Sequence, residues 1–223
     1  TAATLGSTGA TFRLRMLLHI STDQLPASSE NFKLQFATQS GACDTAFSGE
    51  TYADVTDATV IAYNGNATPA DGDNLTSNGN DPTHGADTIV NQDYEELNNF
   101  TNSVAAIPSG QDGKWDFSLK DNGATANTAY CLRAVKSDGT VLNTYTVIPQ
   151  ITTAAAASLT FTVSTNQFPT LTPGAAVFAT STLSVNTDNS TGWNVTVSRD
   201  DTDTTMDLDT DATTNITDQT DWI

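Results

Sequence analysis

The sequence predicts an all-β protein built as two β-sandwich domains, the first carrying a long loop insertion. Composition is the first indication. Threonine leads, with about 40 of the 223 residues, Asn, Asp and Ala are plentiful, and Glu, Lys and Met are scarce. Threonine suits a pleated surface, while Asn and Asp suit turns, and all three are poor in helix interiors. Periodicity is the second, because apolar residues alternate with polar ones over several runs of strand length. The third is punctuation by Gly, Pro, Asn and Asp between those runs.

The first periodic run is "TFRLRMLLHI" (11–20). Phe12, Leu14, Met16, Leu18 and Ile20 share one face, and Arg13, Arg15, Leu17 and His19 share the other, the pattern of a half-buried strand. The uncharged "TAATLGSTGA" before it reads as a flexible lead-in. Leu17 breaks the polar face, so this strand either carries one stray leucine or pairs with a sheet edge of another subunit. The first of these is favoured. "NFKLQFAT" (31–38) repeats the alternation, with Phe32, Leu34 and Phe36 inward and Lys33 and Gln35 outward. Short glycine-punctuated strands follow in "SGACDTAFSGETYADV", and "ATVIAYN" (58–64) is a third apolar run.

Residues 64–92 lose the pattern, since Gly, Asn, Asp and Pro dominate there. Irregular stretches of that length inside a domain are uncommon and usually functional or mobile. "DYEELNNF" (93–100) reads as one or two helical turns with Tyr94, Leu97 and Phe100 on one face. The whole insertion is expected to span about 64–103. "SVAAIP", "KWDFSL" (114–119), "AYCLRAV" (129–135) and "TVLNTYTVI" (140–148) complete the β series, with a Ser137-Asp138-Gly139 hairpin turn joining the last two.

The stretch "TAYCLRAVKSDGTVLNTYTVIPQITT" (128–153) resembles the last hairpin of fibronectin type III and immunoglobulin-like sandwiches. That resemblance implies immunoglobulin-like/fibronectin-like modules. Tyr130 immediately precedes Cys131, whereas the tyrosine of a tyrosine corner stands two residues before the cysteine. Cys43 lies in a Gly-rich stretch after a strand, so a bridge to it is expected to pin a loop to the sandwich.

"TTAAAAS" (152–158) reads as a connector, giving domains of 1–152 and 153–223. Strand patterning restarts with "LTFTVS" (159–164), "AVFATSTLSVNT" (176–187), "GWNVTVSR" (192–199) and "TMDLDT" (205–210). "PTLTPGAAVFATSTLSVNTDNSTGWNVTVS" is similar to a module of bacterial multidomain surface proteins and to the WxL domains of Gram-positive bacteria, without their second W-x-L signature. The pattern stops at Trp222-Ile223 in mid-course, so the second domain is expected to be truncated and the native polypeptide to continue.

Formal net charge is -18, from 26 acidic and 8 basic residues. A field of that sign repels nucleic acid and anionic lipid, so neither is an expected partner. No apolar stretch is long enough to span a bilayer, and a secretory signal, absent here, is expected to have been removed or to lie outside this sequence. The two cysteines, Cys43 and Cys131, are too far apart for CxxC redox or zinc chemistry. A disulfide closing a long loop is favoured over two unrelated buried thiols. It would contribute about 4 kcal/mol in the chain-entropy model and place the protein in an oxidising compartment, outside the cell or at its surface.

Candidate sites are few. His19 lies on a strand's outward face and His84 in the polar loop, and neither has a nucleophile in catalytic context, so no enzyme activity is expected. Asp207, Asp209 and Asp211 fall at positions 1, 3 and 5 of a calcium-loop spacing, with Asn215 at 9 and Asp218 at 12. Ala212 replaces the loop glycine and Asp the bidentate Glu, and plain strand alternation with Met206 and Leu208 inward explains the same residues better. "DGDN" (71–74) reads as a turn. Glycosylation sequons begin at Asn66, Asn74, Asn99, Asn189, Asn194 and Asn215, a number near that expected by chance in so Asn- and Thr-rich a chain.

The expected function is structural: a self-assembling subunit of a bacterial surface filament or layer, polymerising through β-strand contacts and requiring no cofactor. The alternative is a carbohydrate-binding or adhesive module, with calcium as organiser and Tyr52, Tyr63, Tyr94, Trp115 and Trp193 as candidate sugar platforms.

Overall fold

The computed structural model describes residues 2–97, 99–164, 182–187 and 192–195, and the backbone of 206–208 and 211–216. The described residues form strands, turns and loops with no helix. The chain divides into two compact units, Thr1–Ala157 and Ser158–Ile223.

Ten strands build the first unit: β1 (Ala2–Thr4), β2 (Thr11–Ile20), β3 (Asn31–Thr38), β4 (Ala53–Asp54), β5 (Ile61–Tyr63), β6 (Ile89–Glu95), β7 (Phe100–Thr101), β8 (Gln111–Asp121), β9 (Ala129–Lys136) and β10 (Gln150–Thr152). They form two sheets, one ordered β1-β10-β9-β3-β4 with β7 also on β3. In the other, β8 is central, with β2 on one side and β5 and β6 on the other. Alternation supplies each sheet with an apolar face, and the two faces enclose one core. Phe32 and Leu34 of β3, Tyr130 and Leu132 of β9, and Trp115, Phe117 and Leu119 of β8 lie at its centre.

Gly113 stands in that inward row of β8, beside Trp115. A methyl group there would meet Ile107 Cδ1 at 2.3 Å and the Trp115 ring at 2.8 Å, so only glycine leaves the indole its place. The Trp115 indole N–H donates to Thr101 O at 3.1 Å, satisfying its one polar group inside the core.

Several sequence expectations change. The lead-in "TAATLGSTGA" is anchored: β1 pairs in parallel with β10, and Leu5 is buried in the core. The described residues of 93–100 form no helical turn. Parallel pairing of β6 with β8 draws Gln92, Asp93 and Glu95 into a buried strand, and this outweighs the local helical spacing. The insertion therefore supplies two strands to the sandwich instead of lying wholly outside it. "SVAAIP" contributes only an isolated bridge, Ile107 to Leu25.

"TVLNTYTVI" is not a continuous return strand. The Asp138-Gly139 turn is present, with Gly139 at φ 92, and Val141 bridges back to Val135. The chain then leaves the sheet, because the Tyr145 hydroxyl donates to Ala134 O at 2.6 Å and occupies that part of the edge. Pairing resumes only at β10. The connector begins inside the first unit: Thr153 and Ala154 are buried, and Thr153 N–H donates to Thr128 O at 3.0 Å.

In the second unit, β11 (Leu159–Val163) pairs antiparallel with β12 (Leu183–Thr187), and β13 (Met206–Leu208) with β14 (Asp211–Ile216).

Candidate functional site

Successive residues of β8 point to opposite sides, so the row Asp112, Lys114, Asp116 and Ser118 faces away from the core. The sequence implies that such a row meets solvent. All four side chains are buried instead, Lys114 and Asp116 at 1 % exposure, because the 64–88 segment folds over them as a roof. Residues 72–75 add to the outer edge of β6, with Leu75 N–H donating to Gln92 O at 2.9 Å, and this fixes the roof's height.

Each of these four side chains has a partner. Cross-strand register sets Arg13, Arg15, Leu17 and His19 of β2 opposite Ser118, Asp116, Lys114 and Asp112. Arg13 Nε and Arg15 Nε donate to the two oxygens of Asp116 at 2.6 and 2.7 Å. Lys114 and Arg15 both pair with Asp81 of the roof. Lys114 Nζ also donates to Ser77 Oγ at 3.1 Å, and Asn66 Nδ2 to Ser118 Oγ at 2.6 Å. Burial works to raise the Asp81 carboxyl, but the hydrogen bonds from Lys114, the Asn78 N–H and Arg15 outweigh it and bring the group down to about 2. Burial likewise opposes the charge on Arg15, and Asp116 and Asp81 together hold its pKa above the ordinary value.

At one end of this row His19, His84, Asp87 and Asp112 meet. His19 and His84 stood apart in the sequence, one on a strand and one in a loop. The roof joins them, with ring centroids 4.9 Å apart and planes at 85°. The only linear signal was the His84-x-x-Asp87 spacing, since the other two residues, His19 and Asp112, meet through the pairing of β2 with β8.

A second buried polar group lies along β6. Burial first, then the charge of neighbouring Asp93, pushes the Glu95 carboxyl up to about 10. A value that high favours the protonated, neutral carboxyl beside Asp93, which accepts from Ser103 Oγ.

On the opposite sheet, Cys43 and Cys131 are disulfide-bonded. Cys131 alternates with the core residues Tyr130 and Leu132, so the bridge sits on the outer face and ties down the 39–52 loop. Arg133, two residues on, lies 3.9 Å from the Tyr52 ring centroid and 4.5 Å from that of Phe47, and donates to Gln35 Oε1.

The sugar-platform candidates are mostly engaged. Tyr63 and Trp115 are buried in the core. Tyr52 carries the Arg133 guanidinium on its ring, and Tyr94 carries that of Arg13 at 4.8 Å. Trp193 is 50 % exposed, beside Phe161 and Val185 of the β11–β12 pair. Of the calcium-spacing residues, Asp207 and Asp211 lie on β13 and β14, with Asp207 opposite Asn215. Asp209 and Asp218 lie outside the described residues. Among the sequons, Asn74, Asn99 and Asn194 are exposed, whereas the Asn66 amide is held by Glu96 and Ser118. Asn215 is on β14, and Asn189 lies outside the described residues.

No helix among the described residues is long and apolar enough to cross a membrane. Comparison with protein-family models, with curated proteins and with solved structures finds no match to this chain.

Proposed function

We propose that this chain is a structural, extracellular protein: a self-assembling subunit of a bacterial surface filament or layer, made of immunoglobulin-like modules. The observation that carries the proposal is strand β2. It is ten residues long, contains no proline, and has β8 as its one sheet neighbour among the described residues. Phe12, Leu14, Met16 and Ile20 along it are only partly buried. A long edge of that kind is a template for another strand, and sandwich proteins ordinarily guard against it with short edges, prolines or free charges. Here Arg13 and Arg15 are turned down onto Asp116, so their charge is spent within the subunit.

The occupant is a second copy of this chain. A contact between β2 and a different edge of the next copy propagates without closing, as a filament or sheet requires, whereas β2 against β2 closes as a dimer. The disulfide suits an oxidising exterior. The immunoglobulin-like assignment draws support from the parallel β1–β10 pair and from Tyr130. Its hydroxyl accepts the Thr125 N–H, five residues upstream, at 3.2 Å, much as a tyrosine corner does.

Negative-stain microscopy of the native material, with sedimentation of the purified chain, tests the proposal. Filaments or layers are expected, and Leu17→Asp, which charges the half-exposed side of the edge beside Lys114, is expected to shorten or abolish them with the melting temperature kept. A dispersed monomer in native material, or one that binds glycans on an array, would overturn the proposal in favour of an adhesive module.

A further inference from the structure

The four side chains at the end of the β8 row have an arrangement that ion pairing alone does not explain. His19 Nδ1 lies 3.1 Å from Asp112 Oδ1 and 3.3 Å from Asp87 Oδ2. His84 Nδ1 lies 3.0 Å from Asp87 Oδ2 and 3.3 Å from Asp112 Oδ1. Each imidazole thus aims the same nitrogen at the same two carboxylate oxygens. An Nδ1 atom carries one hydrogen or one lone pair in the ring plane, so it can serve one acceptor well and not two. All four atoms lie within 4.8 Å of one another, which also brings two carboxylates close together. Like charges at that range repel unless a cation lies between them.

The His–Asp spacing suits a small cation. A tetrahedron of N and O ligands at about 2.0–2.1 Å from a central ion has edges of about 3.3 Å. The four His–Asp separations, 3.0 to 3.3 Å, have that length, and the cluster as a whole spans up to 4.8 Å, so its remaining edges close on the ion when it binds. Asp112 supplies an independent indication. Its side chain is 0 % exposed, yet its second oxygen, Oδ2, has no hydrogen-bond partner among the described residues. A buried carboxylate so poorly supplied with donors is costly unless positive charge reaches it.

We propose that His19, His84, Asp87 and Asp112 bind one divalent transition-metal ion of the zinc class, through two imidazole nitrogens and two carboxylate oxygens. Two nitrogen donors favour such an ion over calcium or magnesium, which prefer all-oxygen shells of six or more ligands. His19, His84 and Asp87 are partly exposed, so the ion can enter from solvent. Four protein ligands make the site structural. The ligands come from β2, β8 and the roof loop, so the ion fastens the loop to the strand that the assembly proposal uses, although the metal site does not depend on that proposal.

The test begins with full-length, metal-stripped chain titrated with Zn²⁺, Ca²⁺ and Mg²⁺ by calorimetry and by thermal melting. One Zn²⁺ per chain with a raised melting temperature is expected, and no saturable binding of the other two at the same concentrations. Co²⁺ in place of zinc should give the intense visible absorption of a tetrahedral site. His84→Gln, on an exposed side chain, should weaken zinc binding at least ten-fold while the metal-free melting curve stays in place, and His19→Gln should do the same. Absence of 1:1 zinc binding would overturn the proposal, as would a weak octahedral cobalt spectrum or zinc affinity unchanged in the His19→Gln/His84→Gln double variant.

Discussion

The ammonium of Lys114, in the middle of strand β8, is ion-paired with Asp81 of the roof loop, 33 residues earlier in the chain. Lys114 is on the outward face of its sheet, where a lysine normally extends its stem into water. Here it is enclosed, and the loop carries the counter-charge to it. Asp81 also takes Arg15, which in turn holds Asp116, so one loop carboxylate organises charges from both β2 and β8. That carboxylate joins the backbone pairing of 72–75 and the Asn66 contacts in holding a glycine- and asparagine-rich segment over the sheet.

Replacing Asp81 by Asn should therefore destabilise the first unit strongly. Lys114 would keep Ser77 Oγ but lose its only carboxylate partner among the described residues, and an uncompensated buried charge costs about 3–5 kcal/mol. Urea unfolding of the variant is expected to show a loss near 3 kcal/mol. A loss under about 0.5 kcal/mol would mean that the roof is draped over the sheet without contributing to its stability. The wild-type contribution should also depend on acid. The folded-state value of Asp81 is about 2, below the unfolded 3.8, so its stabilisation is complete above the unfolded value and is lost as pH falls toward 2. The difference between wild type and Asp81→Asn should narrow over that interval.

Glu95 predicts the opposite slope. Its folded-state value near 10 stands above the unfolded 4.5, so between those limits the folded chain holds a proton that the unfolded chain has released. Stability contributed by this group is greatest below about 4.5 and falls as pH rises toward 10. Glu95→Gln keeps a donor for Asp93 and needs no proton. It should stabilise the protein at pH 8 by roughly 2 kcal/mol and leave it little changed near pH 4. Chemical denaturation of both proteins at the two pH values measures this, and a variant equally or less stable at pH 8 would refute it.

The strands were legible in the sequence wherever one face is apolar. β2, β3, β8 and β9 all announce themselves by alternation, and Phe32, Leu34, Trp115 and Leu132 reach the core as their positions imply. β6 was not legible, because its buried residues include Gln92, Asp93 and Glu95, and their satisfaction depends on partners such as Ala105 and Ser103. β1 and β10 are three residues each, too short to show a period. The histidine site was hidden for the same reason as β6. His19 and Asp112 are register neighbours 93 residues apart, and only the parallel pairing of β6 with β8 brings the His84 loop above them. Local chemistry shows which residues carry charge, and long-range pairing decides which of those charges meet.

Gly113 offers a test of the core that involves no charge. An alanine methyl would overlap Ile107 Cδ1 and two ring atoms of Trp115. The indole cannot retreat without giving up its bond to Thr101 O, and Phe32 and Phe100 pack against it at centroid distances of 6.3 and 5.3 Å. Overpacking of this kind costs about 1–3 kcal/mol. Gly113→Ala should lower stability by that amount and perturb the near-ultraviolet circular dichroism of the tryptophan. An unchanged melting temperature would show that Ile107 can rotate away freely.

The disulfide allows a prediction that separates its covalent part from its surroundings. Cys43 and Cys131 close a loop of 88 residues, for which chain entropy alone gives about 4.6 kcal/mol. The bridge lies on an outer face, so its removal opens no cavity between the two sheets, and the loss should come mainly from the freer unfolded chain. Cys43→Ala with Cys131→Ala is therefore expected to lose roughly 4.6 kcal/mol while keeping the native far-ultraviolet spectrum at moderate temperature. Around the bridge, Arg133 stays seated between Phe47 and Tyr52, and Phe47 packs edge-on against Tyr145 at 4.9 Å, so the 39–52 loop retains contacts of its own. Adding Arg133→Ala to the double variant should then release the loop, seen as rapid amide exchange over residues 39–52. If the double variant alone already shows that exchange, the aromatic contacts contribute little and the sulfur bridge by itself holds the loop in place.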